Sequence, residues 1–310
     1  MAGLPQPREF AHNLDGAAAL RGHTVPVIVV TSADQGSGKT AVAAAIARHA
    51  AYKGTPVRLA RLTSEAPGSN ADADAAWFST LFFAPGSANS PVGTAEQAAD
   101  SEHLVVIEAD AASLPESFAG QLVVVANYGA PPSNLRPAVT VITRVPGLKS
   151  VAIADGPVIS IGEDMALNGF SVSEARDLLH ADVLVPGDEV DTTCDRIVIA
   201  PIGSDAGQPY FKRFDSKAVV VRFDKTDMHL AAMQTRPGVL ILSGGRRPSE
   251  YLFDAAGAQG IPVLLSRTDT ENTVIALERI FERTRFQGER KLDRMAELLA
   301  GTSLFETLGL

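Results

Sequence analysis

The stretch VPVIVVTSADQGSGKTAVAAAIARHAAYKGTPVRLA, residues 25–60, constrains this chain most. Its first seven residues form a β-branched run without polar alternation, as expected of a parallel strand covered on both faces. A glycine-containing turn follows, then an alanine-rich helix over 40–54 ending at Gly54, then a second apolar run at 56–60. Strand, loop, helix and strand in this order make a βαβ unit, so the spacing predicts a parallel sheet flanked by helices.

The loop itself carries chemistry. It ends in Gly38-Lys39-Thr40, as G-x-x-x-x-G-K-[ST] requires, but Ala33 stands where that pattern has its first glycine. Gly36 and Gly38 permit a curled backbone, and the amides of Gly36, Ser37, Gly38, Lys39, Thr40 and Ala41 would face a polyphosphate at a helix N-terminus. Lys39 would supply a point charge toward the β and γ phosphates, and Thr40 a hydroxyl to magnesium. The competing readings are a plain Gly-Ser turn with Lys39 solvated, and the dinucleotide pattern G-x-G-x-x-A over Gly36 to Ala41. The dinucleotide pattern wants an acid after the second strand, where this chain has Arg61; an arginine there suits a 2′-phosphate but leaves Lys39 and Thr40 unexplained.

Two groups of acids are candidates for holding the metal. Glu108 closes the apolar run LVVIE, beside the ligand crevice of an open α/β sheet, where a buried carboxylate needs a cation or donors. It is read either as a magnesium ligand and catalytic partner of Lys39 or as an acceptor of loop amides. Asp72 and Asp74, in GSNADADAA, are read either as magnesium ligands or as acids complementing the first turn of a helix that Asn70 caps.

Further unalternating runs occur at 104–108, 122–127, 139–143 and 158–161. The rhythm restarts near residue 165, with Ser171 and Glu174 spaced as a capping box. Strand-like runs then alternate with helical segments, and two amphipathic helices follow after residue 270. This divides the chain into a tail (1–23), a nucleotide-binding domain (24–165) and a smaller α/β domain with the closing helix (166–310). In the second half, the loops Ser243-Gly244-Gly245 and Thr268-Asp269-Thr270 follow strands expected to be parallel neighbours, where ligands bind. Thr268 and Glu271 also fit a capping box.

Composition excludes some partners. The net charge of −9 without a basic cluster argues against nucleic acid and anionic membrane surfaces. No run is apolar for long enough to span a bilayer. The single cysteine, Cys194, and the absence of a basic-then-apolar start predict a cytoplasmic protein.

VVTSADQGSGKTAVAAAIA, GSNADADAA, LVVIEAD and VVVANYG resemble the dethiobiotin-synthetase-like P-loop domain, which also forms the N-terminal part of some phosphate acetyltransferases. ADVLVPGDEVDTTCDRIVIAPIG, RFDKTDMHLAAM and GVLILSGGRRPSEYLFDAAGAQGIPVLLSRTDTENTV resemble the DRTGG domain. Lys225 and Thr226 hold that domain's signature position. The resemblance implies a P-loop NTPase-type sheet followed by a DRTGG-type α/β domain, ATP with Mg²⁺ at Lys39, Thr40, Glu108 and the Asp72–Asp74 region, a small-molecule effector at the second domain, and a homodimer. The family often has Asn-Arg-Val where this chain has Thr143-Arg144-Val145, and a lysine near Arg61. Three functions follow: a regulatory ATP–Mg-binding protein with slow hydrolysis, an ATP-dependent carboxylate or carbamate ligase, or a non-catalytic partner subunit with a degenerate loop.

Overall fold

The computed structural model describes residues 27–32, 34, 36–62, 70–83, 103–114, 120–131, 134–147, 156–188, 192–200 and 207–310, without the side chains of 70–72, 207 and 208. The N-terminal tail and Ala33 therefore lie outside the described residues.

The first half builds one sheet from β1 (Val27–Ser32), β2 (Val57–Leu62), β3 (Leu104–Asp110), β4 (Gln121–Asn127), β5 (Val139–Val145) and β6 (Val158–Gly162), in the order β2-β3-β1-β4-β5-β6. Every pairing is parallel. The unalternating sequence has its cause here: Ile28 and Val30 join one core, and Val29 joins another on the opposite face with Ala60, Leu62, Val105 and Ile107. Helices α1 (Lys39–Tyr52) and α2 (Asn70–Thr80) follow β1 and β2. Alanines along α1 are fully buried, and their small side chains let the helix lie close to the strands.

The second half holds a short ribbon of β7 (Phe170–Ser171) and β9 (Thr193–Cys194), and a five-stranded sheet. That sheet combines β8 (Asp182–Val185), β10 (Arg196–Ile199), β11 (Lys217–Arg222), β12 (Val239–Ser243) and β13 (Val263–Leu265) in the order β10-β11-β12-β13-β8. All neighbours are parallel except β8, which runs against β13. Helices α4 (Gly207–Phe211), α5 (Thr226–Met233) and α6 (Tyr251–Gly257) cover one face. Helices α3 (Val172–Leu179) and α7 (Thr270–Glu278) cover the other. This is the α/β architecture the sequence predicts, a six-stranded parallel sheet flanked by helices and then a smaller α/β region.

The Ser171–Glu174 capping box forms at the start of α3, with both reciprocal bonds present. The expected box at Thr268 does not. Asp269 caps α7 instead, accepting from the Asn272 amide at 2.8 Å, while the Thr268 hydroxyl meets Ser266 and Thr273. A carboxylate one residue nearer the helix is the stronger acceptor.

The closing helices also differ from expectation. Helices α8 (Glu289–Ala300) and α9 (Leu304–Leu308) pack into the core of the first sheet, although sequence order assigns them to the second domain. Leu292, Met295 and Leu299 form a helical stripe that meets the alanine-rich flank of α1. Phe305 stacks on His49 with ring centroids 3.6 Å apart, and Arg48 pairs with Glu289 at 2.7 Å and with Asp293. Among the described residues, no helix is long and apolar enough to cross a membrane.

Candidate nucleotide site

The strand order places β1 between β3 and β4, so the loop after β1 opens beside the carboxyl ends of both neighbours. Register fixes the rest: Arg61 on β2 lies beside Glu108 on β3, and Ser32 on β1 beside Asp110. Because side chains alternate along a strand, Glu108 and Asp110 emerge on one face.

Gly36 and Gly38 take φ of 70° and 94°, the left-handed region that only glycine enters without strain. Gly38 is the N-cap of α1 and supplies no side-chain acceptor, so the first-turn amides have no cap of their own. Thr143 braces the loop from β5, its hydroxyl donating to the Ser37 carbonyl at 2.8 Å. Beside it, β5 slips register against β6, and Arg144 takes a φ of 56°, so an irregular strand end aims Thr143 at the loop. Thr143 thus holds the loop itself.

In front of the loop, two cations meet three carboxylates. Lys39 Nζ is ion-paired with Asp110 Oδ1. Arg61 is ion-paired with Glu108 Oε1 and lies 3.9 Å from both Asp74 and Asp110. Thr40 donates to Glu108 Oε1 at 2.8 Å. Burial opposes the Arg61 charge, but Glu108, Asp74 and Asp110 overcome it and raise its pKa. Burial, then Glu108, pushes Asp74 up to about 6 against the pull of Arg61.

Glu108 is fully buried, yet its Oε2 has no hydrogen-bond partner. An orphaned carboxylate oxygen beside a threonine hydroxyl is a donor set that suits a hard cation. Thr40 and Glu108 supply these two oxygens side by side. Among the described residues no three His, Cys, Asp or Glu side chains gather as a metal cage. Asp74 joins the cluster through Arg61, whereas the Asp72 side chain lies outside the described residues.

The Lys39–Asp110 pair stands at the start of α1. Its side chains keep 12% and 21% exposure, so solvent and solutes reach the pair. Asp110, two residues past Glu108 at the end of one strand, is a site residue that the motif does not contain.

The remaining candidate positions lie elsewhere in the fold. Cys194 is buried, and burial and Asp195 push its thiol up to about 12, which makes it inert. His229 is buried, with Nε2 on the Arg222 carbonyl at 2.9 Å. The two loops after β12 and β13 are bonded to each other, Gly244 N to Thr268 O at 2.7 Å and Gly245 N to Ser266 O at 3.0 Å. Lys225 and Thr226 begin α5.

Comparison with known families matches residues 175–280 to the DRTGG domain. A solved structure similar to part of the chain holds the CBS and DRTGG domains of the regulatory region of Clostridium perfringens pyrophosphatase, complexed with its activator diadenosine tetraphosphate. Identity is 18% over 37% of this chain and 49% of that one, with a TM-score of 0.33. This chain thus spans about half the length of that structure. A structural likeness of this extent carries no argument about the ligand.

Proposed function

We propose that this chain is a regulatory nucleotide-binding protein that holds ATP with magnesium at the loop after β1, hydrolyses it slowly and passes its occupancy to the DRTGG-type region. The observation that carries this reading is the Thr40–Glu108 bond beside an orphaned carboxylate oxygen, in front of an uncapped helix N-terminus. Backbone amides from Gly36 to Ala41 would cradle the phosphates. Lys39 would exchange Asp110 for a phosphate oxygen, and Thr40 and Glu108 would hold the metal, which neutralises charge on the phosphates when bound. Glu108 would meet the metal through Oε2 and already meets Arg61 through Oε1, so neither oxygen is left to draw a proton from water, and turnover is expected to be slow.

The ligase reading needs a substrate gap between Arg61 and Glu108, but the two are in ionic contact. Titration calorimetry with ATP, with and without magnesium, tests the proposal. Heat from the wild type that requires magnesium and vanishes in Lys39→Ala is the expected result. Absence of binding by both proteins would leave the partner-subunit reading, and phosphate release stimulated by an added carboxylate would restore the ligase. A second copy of the chain is the partner expected in solution, and sedimentation mass tests it.

A further inference from the structure

A cleft of about 700 Å³ opens between α3, the turn at Arg279–Glu282 and the start of α8, away from the nucleotide loop. Its volume is in the range of small-molecule sites. Glu174, Leu178, Ile280, Arg283, Arg285 and Lys291 are among its walls.

The charges of this cleft are unequally satisfied. Glu174 accepts from the Ser171 amide at 2.8 Å and from the Arg285 amide at 2.9 Å, so both its oxygens are used. Asp177 is paired with Arg176. The acid in the first turn of α8, Glu289, is turned to Arg48. On the cationic side, Lys291 is 1% exposed, spends one N–H on the Arg285 carbonyl at 2.5 Å and forms no ion pair among the described residues. Arg283 makes no side-chain bond or ion pair among the described residues. A buried ammonium with two spare donors, an unengaged guanidinium and a helix N-terminus face one cavity, while the nearby acids are already partnered. Burial lowers Lys291 to about 8, outweighing the opposing pull of Glu174.

The same segment reaches the nucleotide site. Arg285 is held by its backbone in the cleft, its amide on Glu174 and its carbonyl on Lys291. On α2, Asp74 lies 3.9 Å from Arg61, one helical turn before Trp77. The residue after Arg285, Phe286, packs edge-on against Trp77 with centroids 5.7 Å apart. The strap at 283–288 is thus tied to the cleft at one end and to α2 at the other.

We propose that this cleft binds a small phosphate-bearing metabolite, its phosphate held by Lys291, Arg283 and the first turn of α8, and that occupancy changes nucleotide affinity at the loop through the Arg285–Phe286 strap. The binding claim stands alone; the coupling claim rests on the nucleotide site proposed above.

Pyrophosphate is the probe, titrated calorimetrically into the full chain carrying Lys39→Ala, which removes the loop's cationic side chain, and the cleft variants are made in this background. Binding that persists in this background and falls tenfold or more in Arg283→Ala and Lys291→Met is expected. Arg283 is exposed, so its variant tests the cleft even where Lys291→Met fails to fold. Binding to the wild type that Lys39→Ala abolishes, or no binding at all, would overturn the cleft site. In the wild type, pyrophosphate at a concentration saturating the cleft should shift the ATP–magnesium affinity by ~5-fold or more, with the shift lost in Arg283→Ala. An unchanged affinity would overturn the coupling. If the cleft binds and ATP does not, the nucleotide reading fails while the cleft stands.

Discussion

Asp74 shows how the site sets the behaviour of one residue. Burial and the neighbouring Glu108 raise its pKa from 3.8 to about 6, so its ionised form is disfavoured in the folded chain. The folded state therefore binds this proton more tightly than the unfolded state does. The resulting stabilisation is complete below pH ~4 and is lost as pH rises through ~6. Asp74→Asn should make the protein more stable at pH 7.5 by about 2 kcal/mol, with the advantage shrinking toward pH 4.5. Urea unfolding at several pH values measures this, and a gap independent of pH would contradict it. Other residue-scale features of the site were partly visible in sequence. Gly36, Gly38, Lys39 and Thr40 could be read from a motif, because that motif specifies residue types at a fixed spacing. Asp110 could not, since a carboxylate two residues past Glu108 acquires meaning only when Lys39 folds against it.

At the scale of elements, the strands were legible because burial on both faces removes polar residues from them. The positions of α8 and α9 were not. An amphipathic stripe states that a helix has a buried face, not which surface it covers. Leu299 is fully buried between α8 and the first core, so Leu299→Ala should leave a cavity and cost about 3 kcal/mol. Chemical denaturation tests it. A loss below 1 kcal/mol would mean that the closing helices are peripheral to that core. The cap of α7 is a smaller example: Thr268-x-x-Glu271 and Asp269-x-x-Asn272 both fit capping patterns, and the backbone path selected Asp269.

On the scale of the whole molecule, α8 connects the two halves. Its apolar stripe belongs to the first core, while Arg290 reaches Asp195 at 2.7 Å and Thr193 at 3.1 Å in the second. Arg294 meets Asp164 at 2.8 Å, in the passage between the sheets. A helix shared in this way should make thermal unfolding a single transition. Arg290→Ala combined with Arg294→Ala should separate it into two by calorimetry. One transition persisting in the double variant would assign the joint to other contacts. ATP with magnesium would raise the whole transition in the wild type, since a ligand bound only to the folded state stabilises everything that unfolds with it.

Sequence alone determined what depends on neighbours along the chain: the parallel strands, the βαβ rhythm, the glycines that let the loop curl, and the Ser171–Glu174 cap. Tertiary structure decided what depends on residues far apart in order. It brought Lys39 to Asp110, Arg61 to Glu108 and Thr143 to Ser37, and carried the last helices back onto the first sheet. Local order fixes backbone conformation because its interactions span a few residues. Charge pairing and helix docking are selected by the space the packed sheets leave, which no short stretch of sequence specifies.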